Sequence, residues 1–197
     1  MKIDGKTQKI GLLGWPVSHT KSPIIHNAVI EAHNLNFAYL PLPVHPKAVE
    51  AAVKGLPALG FLGVNVTAPH KQAVMPLLDE IDPAASAIGA VNTILFQENE
   101  DQSYPPKSIG FNTDWIGFQQ DLEAHGVPYA GRDCLVIGAG GSARSVIYSL
   151  INAQANVHLC ARRKEQADGV VSEMLEHVPD AKSVSYTHLT LPTILLV

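Results

Sequence analysis

The chain has 197 residues, 46% of them hydrophobic and 16% charged, with 14 Lys and Arg against 18 Asp and Glu for a formal net charge of -4. That length allows one large domain or two small ones around a sizeable core, and the charge argues against a nucleic-acid binder relying on bulk positive charge. The apolar runs are far shorter than a bilayer span, and the start, Met1-Lys2-Ile3-Asp4-Gly5-Lys6, lacks the apolar stretch of a signal peptide.

Strand-like and helix-like segments alternate, which predicts an α/β architecture with parallel strands. The first strand is Ile10–Leu13, followed by the turn Gly14-Trp15-Pro16-Val17. Ser22-Pro23 reads as an N-cap with Pro at the first helical position, and Ile25, Ala28, Val29 and Ala32 give an apolar helical stripe. Phe37–Val44 is a strand whose Pro41 and Pro43 place it at an edge. A helix follows from Pro46 to about Gly55, then a strand Phe61–Thr67, a short helix from about Lys71 to Leu78, and a strand Val91–Phe96. Glu98–Lys107 is a polar loop. Asn112-Thr113-Asp114 supplies cap residues for a helix Trp115–His125, which Gly126 stops.

A second unit begins near Arg132. Cys134-Leu135-Val136-Ile137 reads as a buried parallel strand. A glycine loop and a helix through Asn152 follow, then a strand Asn156–Ala161 and a helix to about His177, making one βαβ unit. Cys134 and Cys160 form no C-x-x-C pair; both read as small buried hydrophobes, and a cytoplasmic location is expected. Nine His are present, but His19, His26 and His33 are seven apart and no H-E-x-x-H occurs, so no metal site is expected.

The glycine loop, Gly138-Ala139-Gly140-Gly141-Ser142-Ala143, matches the dinucleotide fingerprint G-x-G-x-x-A. Gly138 permits the tight turn, Gly140 lets backbone approach a pyrophosphate, and Ala143 lets helix and strand pack closely. The helix N-terminus offers N–H groups and a positive dipole end to phosphates. A structural glycine turn is the alternative; the strand before and helix after favour the cofactor. After the next strand comes Arg162-Arg163-Lys164 rather than an acid that would hold a ribose hydroxyl. Cations suit a 2′-phosphate and so favour NADP. A solvated charge run is the alternative, but cations at a helix start oppose the dipole. Glu165 is the nearest acid that an NAD site would use.

Polar residues gather at predicted strand ends: Ser18 to Ser22, Asn65 with Thr67, Lys71, Asn92-Thr93 and Asn112 to Asp114. Ligands of open α/β folds bind there. Hydroxyls, amides, one Lys and one Asp suit a small polyhydroxylated substrate, and a Lys near an Asp can hold or move a proton at a carbonyl or alcohol. Taken singly, Ser22 and Asp114 could be only helix caps and Lys71 only a surface lysine.

Together, Gly14-Trp15-Pro16-Val17-Ser18-His19-Thr20-Lys21-Ser22-Pro23 with His26-Asn27, Asn65-Val66-Thr67-Ala68-Pro69-His70-Lys71, Gly89-Ala90-Val91-Asn92-Thr93, Asn112-Thr113-Asp114 and the Gly138 loop resemble the shikimate dehydrogenase family. The resemblance implies an N-terminal substrate-binding α/β domain over 1–113 and the first part of a Rossmann-type NADP-binding domain over 114–182. It implies reversible reduction of 3-dehydroshikimate to shikimate by NADPH. It makes Lys71 the catalytic acid/base with Asp114 its partner, Thr20 and Ser22 the hydroxyls that hold the substrate carboxylate, and Thr67 and Asn92 further substrate contacts. Small-molecule substrates are its expected partners, with no nucleic acid or membrane, and a homodimer is allowed.

The sequence departs from the family in Thr20, where Ser is usual, and in Ala161, where Asn is usual. Gln166 replaces a second Arg for which Lys164 can compensate. Residues 183–197 resemble no family segment and are expected to be a non-native tail on a truncated chain. The alternatives are a quinate or shikimate dehydrogenase accepting NAD, and an inactive binding-only fragment.

Overall fold

The structure, a computed structural model, describes residues 3–178 and 183–186. It divides into two compact units, one of residues up to 86 with 90–113, the other of 87–89 with 114 onward.

The first unit begins with β1 (Gln8–Gly14), α1 (Ser22–Ala32), β2 (Phe37–Pro43), α2 (Val49–Gly55) and β3 (Phe61–Val66). β4 (Glu80–Ile81), α3 (Pro83–Ile88), β5 (Thr93–Gln97) and β6 (Lys107–Phe111) follow. The strands form one sheet in the order β2-β1-β3-β5-β6-β4. β2 takes the edge, where Pro41 and Pro43 leave no central ladder bond unmade. One face packs Leu13, Val64, Val66, Val74, Ile94 and Phe96; Leu12, Val17, Ile30 and Tyr39 pack on the other.

Four expectations need correction here. The sheet is mixed, not parallel: β5 runs antiparallel to β3 and to β6. β6 went unseen because its small alternate residues, Ser108 and Gly110, give no apolar run. Gly110 is small of necessity, since a Cβ there would lie 2.6 Å from Leu78 Cδ1 and 2.8 Å from Val91 Cγ2. The helix expected from Lys71 to Leu78 is a series of turns with a 3-10 helix over Met75–Leu77. Pro76 cannot donate to a longer helix. Finally, the α1 stripe faces outward, with Ile25 60% and Val29 52% exposed, while Ile30 is buried. Asn27 selects the inner face, its side chain bonding both the N–H and C=O of Tyr39 at 2.9 Å.

The second unit contains α4 (Asp114–Ala124), β7 (Asp133–Ile137), α5 (Gly141–Asn152), β8 (Asn156–Cys160), α6 (Lys164–His177) and β9 (Ser183–Tyr186). Its strands are parallel in the order β7-β8-β9. Gly126, at φ +64, turns the chain out of α4, where Val127 N–H closes on Leu122 O at 2.9 Å. Val136, Ile147, Leu150, Leu159, Val170 and Met174 form the core. β7 is buried on one face only: Leu135 is 49% and Ile137 76% exposed, because α5 and α6 pack against the face carrying Val136 and Cys134. Both cysteines are free and only partly buried. β9 adds a third strand to the expected βαβ unit and takes its residues from the start of the unmatched 183–197 segment; residues 187–197 lie outside those described.

Arg144 of α5 is buried. It pairs with Glu173 of α6 at 2.5 Å and donates to Ile88 O at 3.3 Å. Its Nε has no hydrogen-bond partner among the described residues. No helix among the described residues is long and apolar enough to cross a membrane.

Candidate active site

In the first unit, the carboxyl ends of β1 and β3 are stitched together. Thr67 N–H donates to Leu13 O at 2.9 Å and Trp15 N–H to Ala68 O at 3.1 Å. A Cβ on Gly14 would lie 2.3 Å from Thr67 Cγ2 and 2.8 Å from Val17 Cγ1, so the absence of a side chain there makes room for Thr67. The next turn brings two hydroxyls together. Thr20 Oγ1 lies 3.2 Å from Ser22 Oγ and accepts Ser22 N–H at 3.2 Å. Ser22 is therefore not the N-cap of α1; Lys21 holds that position without a side-chain cap. Two adjacent, partly buried hydroxyls can both donate to one carboxylate.

The segment leading to Lys71 is fixed from within. His70, only 1% exposed, holds Val44 O through Nε2 at 2.7 Å, and its N–H donates to Thr67 O at 3.0 Å. The motif reading gave His70 no role; a lone histidine between Pro and Lys carries no signal of its burial. Lys71 O accepts Val91 N–H at 2.8 Å, so Lys71 lies beside the strand entry that carries Asn92. Asn92 is buried, and both ends of its amide meet Thr113. Nδ2 donates to Thr113 Oγ1 at 3.0 Å, and Oδ1 accepts Thr113 N–H at 3.0 Å. Asn112 donates to Ala90 O at 2.8 Å. The side chains of Asn112 and Thr113 thus tie the 110–113 segment to 90–92, and Asp114 is the first residue of α4. Within the first unit, the structure gathers Thr20 with Ser22, and Lys71, Asn92 and Thr113 around the ends of β3 and β5.

The second unit carries a cleft of about 910 Å³ lined by Ile137, Gly138, Ala139, Gly140, Cys160, Ala161, Arg162, Arg163 and Gln166. Gly138 has φ +118, in the region that favours glycine, and donates its N–H to Cys160 O at 2.8 Å. Gly140 is the N-cap of α5, and a Cβ on it would meet nothing within 4 Å, so its backbone is open to a ligand. Gly141 and Ser142 open α5, and Ala143 packs against the core. This arrangement fits a dinucleotide pyrophosphate at a helix N-terminus. Arg162 and Arg163 line the same cleft. Lys164 instead reaches Asp168 at 3.1 Å. Gln166 has a part that motif spacing did not assign: it accepts from Arg163 at 3.2 Å and donates to Ala139 O at 3.3 Å, tying the cations to the glycine loop.

A family model described as the shikimate dehydrogenase substrate binding domain matches residues 12–94. The chain is 45% identical over 183 residues to the shikimate dehydrogenase (NADP(+)) of Salinibacter ruber, covering 91% of this chain and 62% of that one. Among solved structures, a shikimate dehydrogenase in complex with NADP+ matches with TM-score 0.82 and 38% identity, over 93% of this chain and 63% of that one. The shikimate dehydrogenase of Aquifex aeolicus matches with TM-score 0.80 and 37% identity, over 94% of this chain and 71% of that one. The chain spans about three-fifths of the length of curated relatives that it matches.

Proposed function

Because the chain belongs to the shikimate dehydrogenase family, we propose that it serves the reversible, NADP-dependent reduction of 3-dehydroshikimate to shikimate, within the shikimate pathway to chorismate and the aromatic amino acids. The observation that carries this reading is the backbone and side-chain linkage of Lys71, Asn92 and Thr113 at the ends of two adjacent strands.

Thr20 and Ser22 donate their hydroxyl protons to the substrate carboxylate, and Thr67 and Asn92 hold ring hydroxyls. Lys71 gives its proton to the carbonyl oxygen as that oxygen gains negative charge, and takes it back in the reverse direction. Asp114 accepts a hydrogen bond from the neighbouring ring hydroxyl. NADPH supplies the hydride when bound. The amide groups at Gly140 to Ser142 would hold its pyrophosphate, and Arg162 and Arg163 would grip the 2′-phosphate.

The test measures shikimate-dependent NADP+ reduction at 340 nm, with shikimate affinity followed by calorimetry. Lys71→Ala is expected to lower kcat by about 100-fold or more, as for loss of an acid/base group, with a smaller change in affinity. Turnover of Lys71→Ala close to that of the parent chain would refute the assignment.

A homodimer also belongs to this reading, supported by the exposed Ile24, Ile25 and Val29 on α1. So does a cytoplasmic location, in keeping with two unpaired cysteines. A monomer in sedimentation equilibrium at tens of micromolar would remove the dimer.

A further inference from the structure

Residues 87–89 group with the second unit, although the chain before and after them builds the first. A buried guanidinium accounts for this. Arg144 Nη1 donates to Ile88 O at 3.3 Å and pairs with Glu173 Oε2 at 2.5 Å. Gly89 has φ +67, and a Cβ on it would lie 2.8 Å from Arg144 Nη1 and 3.5 Å from Glu173 Oε2. The bare backbone at Gly89 therefore makes the room in which Arg144 reaches the carbonyl before it. Arg144 is 6% exposed, and its Nε has no hydrogen-bond partner among the described residues. Burying a guanidinium carries a desolvation cost that an apolar side chain of the same length does not. What the guanidinium adds over such a side chain is its hold on Ile88 and Glu173.

Both ends of this tie lead to residues that the proposed function uses. Arg144 lies in the first turn of α5, and its own N–H donates to Gly140 O at 3.0 Å, which fixes its backbone to the glycine loop. At the other end, the three residues after Gly89 are each bonded within the first unit's polar cluster. Ala90 O accepts from Asn112 Nδ2 at 2.8 Å, Val91 N–H donates to Lys71 O at 2.8 Å, and Asn92 N–H donates to Phe111 O at 2.9 Å. The chain from Ile88 to Asn92 can span at most about 14 Å, so a shift at Ile88 has little slack in which to be absorbed.

We propose that Arg144 is a positioning residue that holds the Ile88 carbonyl, steadies residues 90–92 beside Lys71, and so links occupation of the glycine loop to substrate affinity. The proposal deepens the function above and rests on it, since Lys71 and Asn92 are there substrate contacts. A pyrophosphate that orders Gly140 to Ser142 orders the first turn of α5 and with it the root of Arg144. A segment already ordered by one ligand costs less to order for the next, which makes the two bind cooperatively without a change of fold. Linkage then requires the same factor in both directions.

The test compares the full chain with three variants. Arg144→Met removes the guanidinium, Gly89→Ala crowds it from the other side, and Ile147→Val trims the second unit's core and leaves the tie intact. Calorimetry measures shikimate affinity with and without NADPH, a pair that cannot react. Amide hydrogen exchange at Val91 and Asn92 is followed by 1H–15N NMR without ligand. In the parent, NADPH should tighten shikimate binding roughly three- to tenfold, the size of one hydrogen bond. In Arg144→Met and Gly89→Ala that factor should fall to about one, and exchange at Val91 and Asn92 should quicken relative to the rest of the first unit. Ile147→Val should keep both as in the parent. Shikimate binding in the parent that ignores NADPH overturns the proposal, as do an undiminished factor in Arg144→Met and Gly89→Ala and an equal loss in Ile147→Val. If the parent binds no shikimate or no NADPH, the function proposed above falls. Exchange then decides the tie alone: quickened at Val91 and Asn92 in Arg144→Met it stands, and unchanged it falls.

Discussion

Replacing Gly14 by Ala tests how tightly the end of β1 is fitted to Thr67. Carbon atoms in contact normally stand about 3.5–4.0 Å apart. The new Cβ would stand 2.3 Å from Thr67 Cγ2 and 2.8 Å from Val17 Cγ1. Both neighbours are β-branched and stiff at χ1, and Thr67 N–H is held by Leu13 O. The overlap must then be relieved by a rotamer change or a shift of the 67–71 segment, at a cost of about 1–3 kcal/mol. Thermal unfolding should show a midpoint lower by about 3 °C or more, and calorimetry should show weaker shikimate binding, because the Thr67 hydroxyl has moved. Adding Thr67→Ser removes the clashing methyl and keeps the hydroxyl, so the double variant should recover most of the lost stability. A Gly14→Ala chain that melts and binds like the parent would refute the reasoning, as would a double variant no better than the single one.

Three other perturbations probe separate parts. Arg163→Ala should weaken NADP+ binding much more than NAD+ binding, with the difference shrinking at high salt; equal losses for both cofactors would remove the 2′-phosphate assignment. Glu173→Gln leaves the buried Arg144 without its counter-charge; because Glu173 is itself half exposed, the expected loss is about 1–3 kcal/mol in chemical denaturation, below that of a fully buried pair. Asp79 is held below its ordinary carboxyl pKa by hydrogen bonds from the Ser108 side chain and backbone N–H. A depressed folded-state pKa stabilises above the unfolded value of 3.8 and loses that stabilisation as pH falls through the folded value. Asp79→Asn should therefore melt lower than the parent at neutral pH and lose less stability on acidification below pH 4; parallel acid limbs would contradict this.

Sequence carried the second unit well, because fold and chemistry there share one local signal. The Gly138 loop is a turn that requires positive φ and, in the function proposed above, a phosphate cradle, and a strand and a helix flank it as the spacing implies. The first unit was legible in its motifs but not in its packing. α1 has large apolar residues on several sides, so periodicity could not choose a face. The choice rests on Asn27, a polar residue whose bonds to Tyr39 are long-range. α3 went unseen although Asp82-Pro83 is an N-cap and first-turn pair; Asp82 Oδ1 accepts Ala84 N–H at 2.9 Å. The bond from Gln166 to the glycine loop needs a partner 27 residues away, which no local pattern encodes.

The antiparallel pairing of β5 and β6 separates two tasks along one hairpin. Thr93 stands opposite Phe111 at the end that delivers Asn92 and Thr113, and Gln97 stands opposite Lys107 at the other. Four residue steps place the turn about 14 Å from that delivery point. Residues 98–106 can therefore change in length or sequence without altering how the two chain segments meet at the open end. An affinity tag, a fluorophore or a surface anchor grafted there would report on the protein while leaving its polar cluster as built.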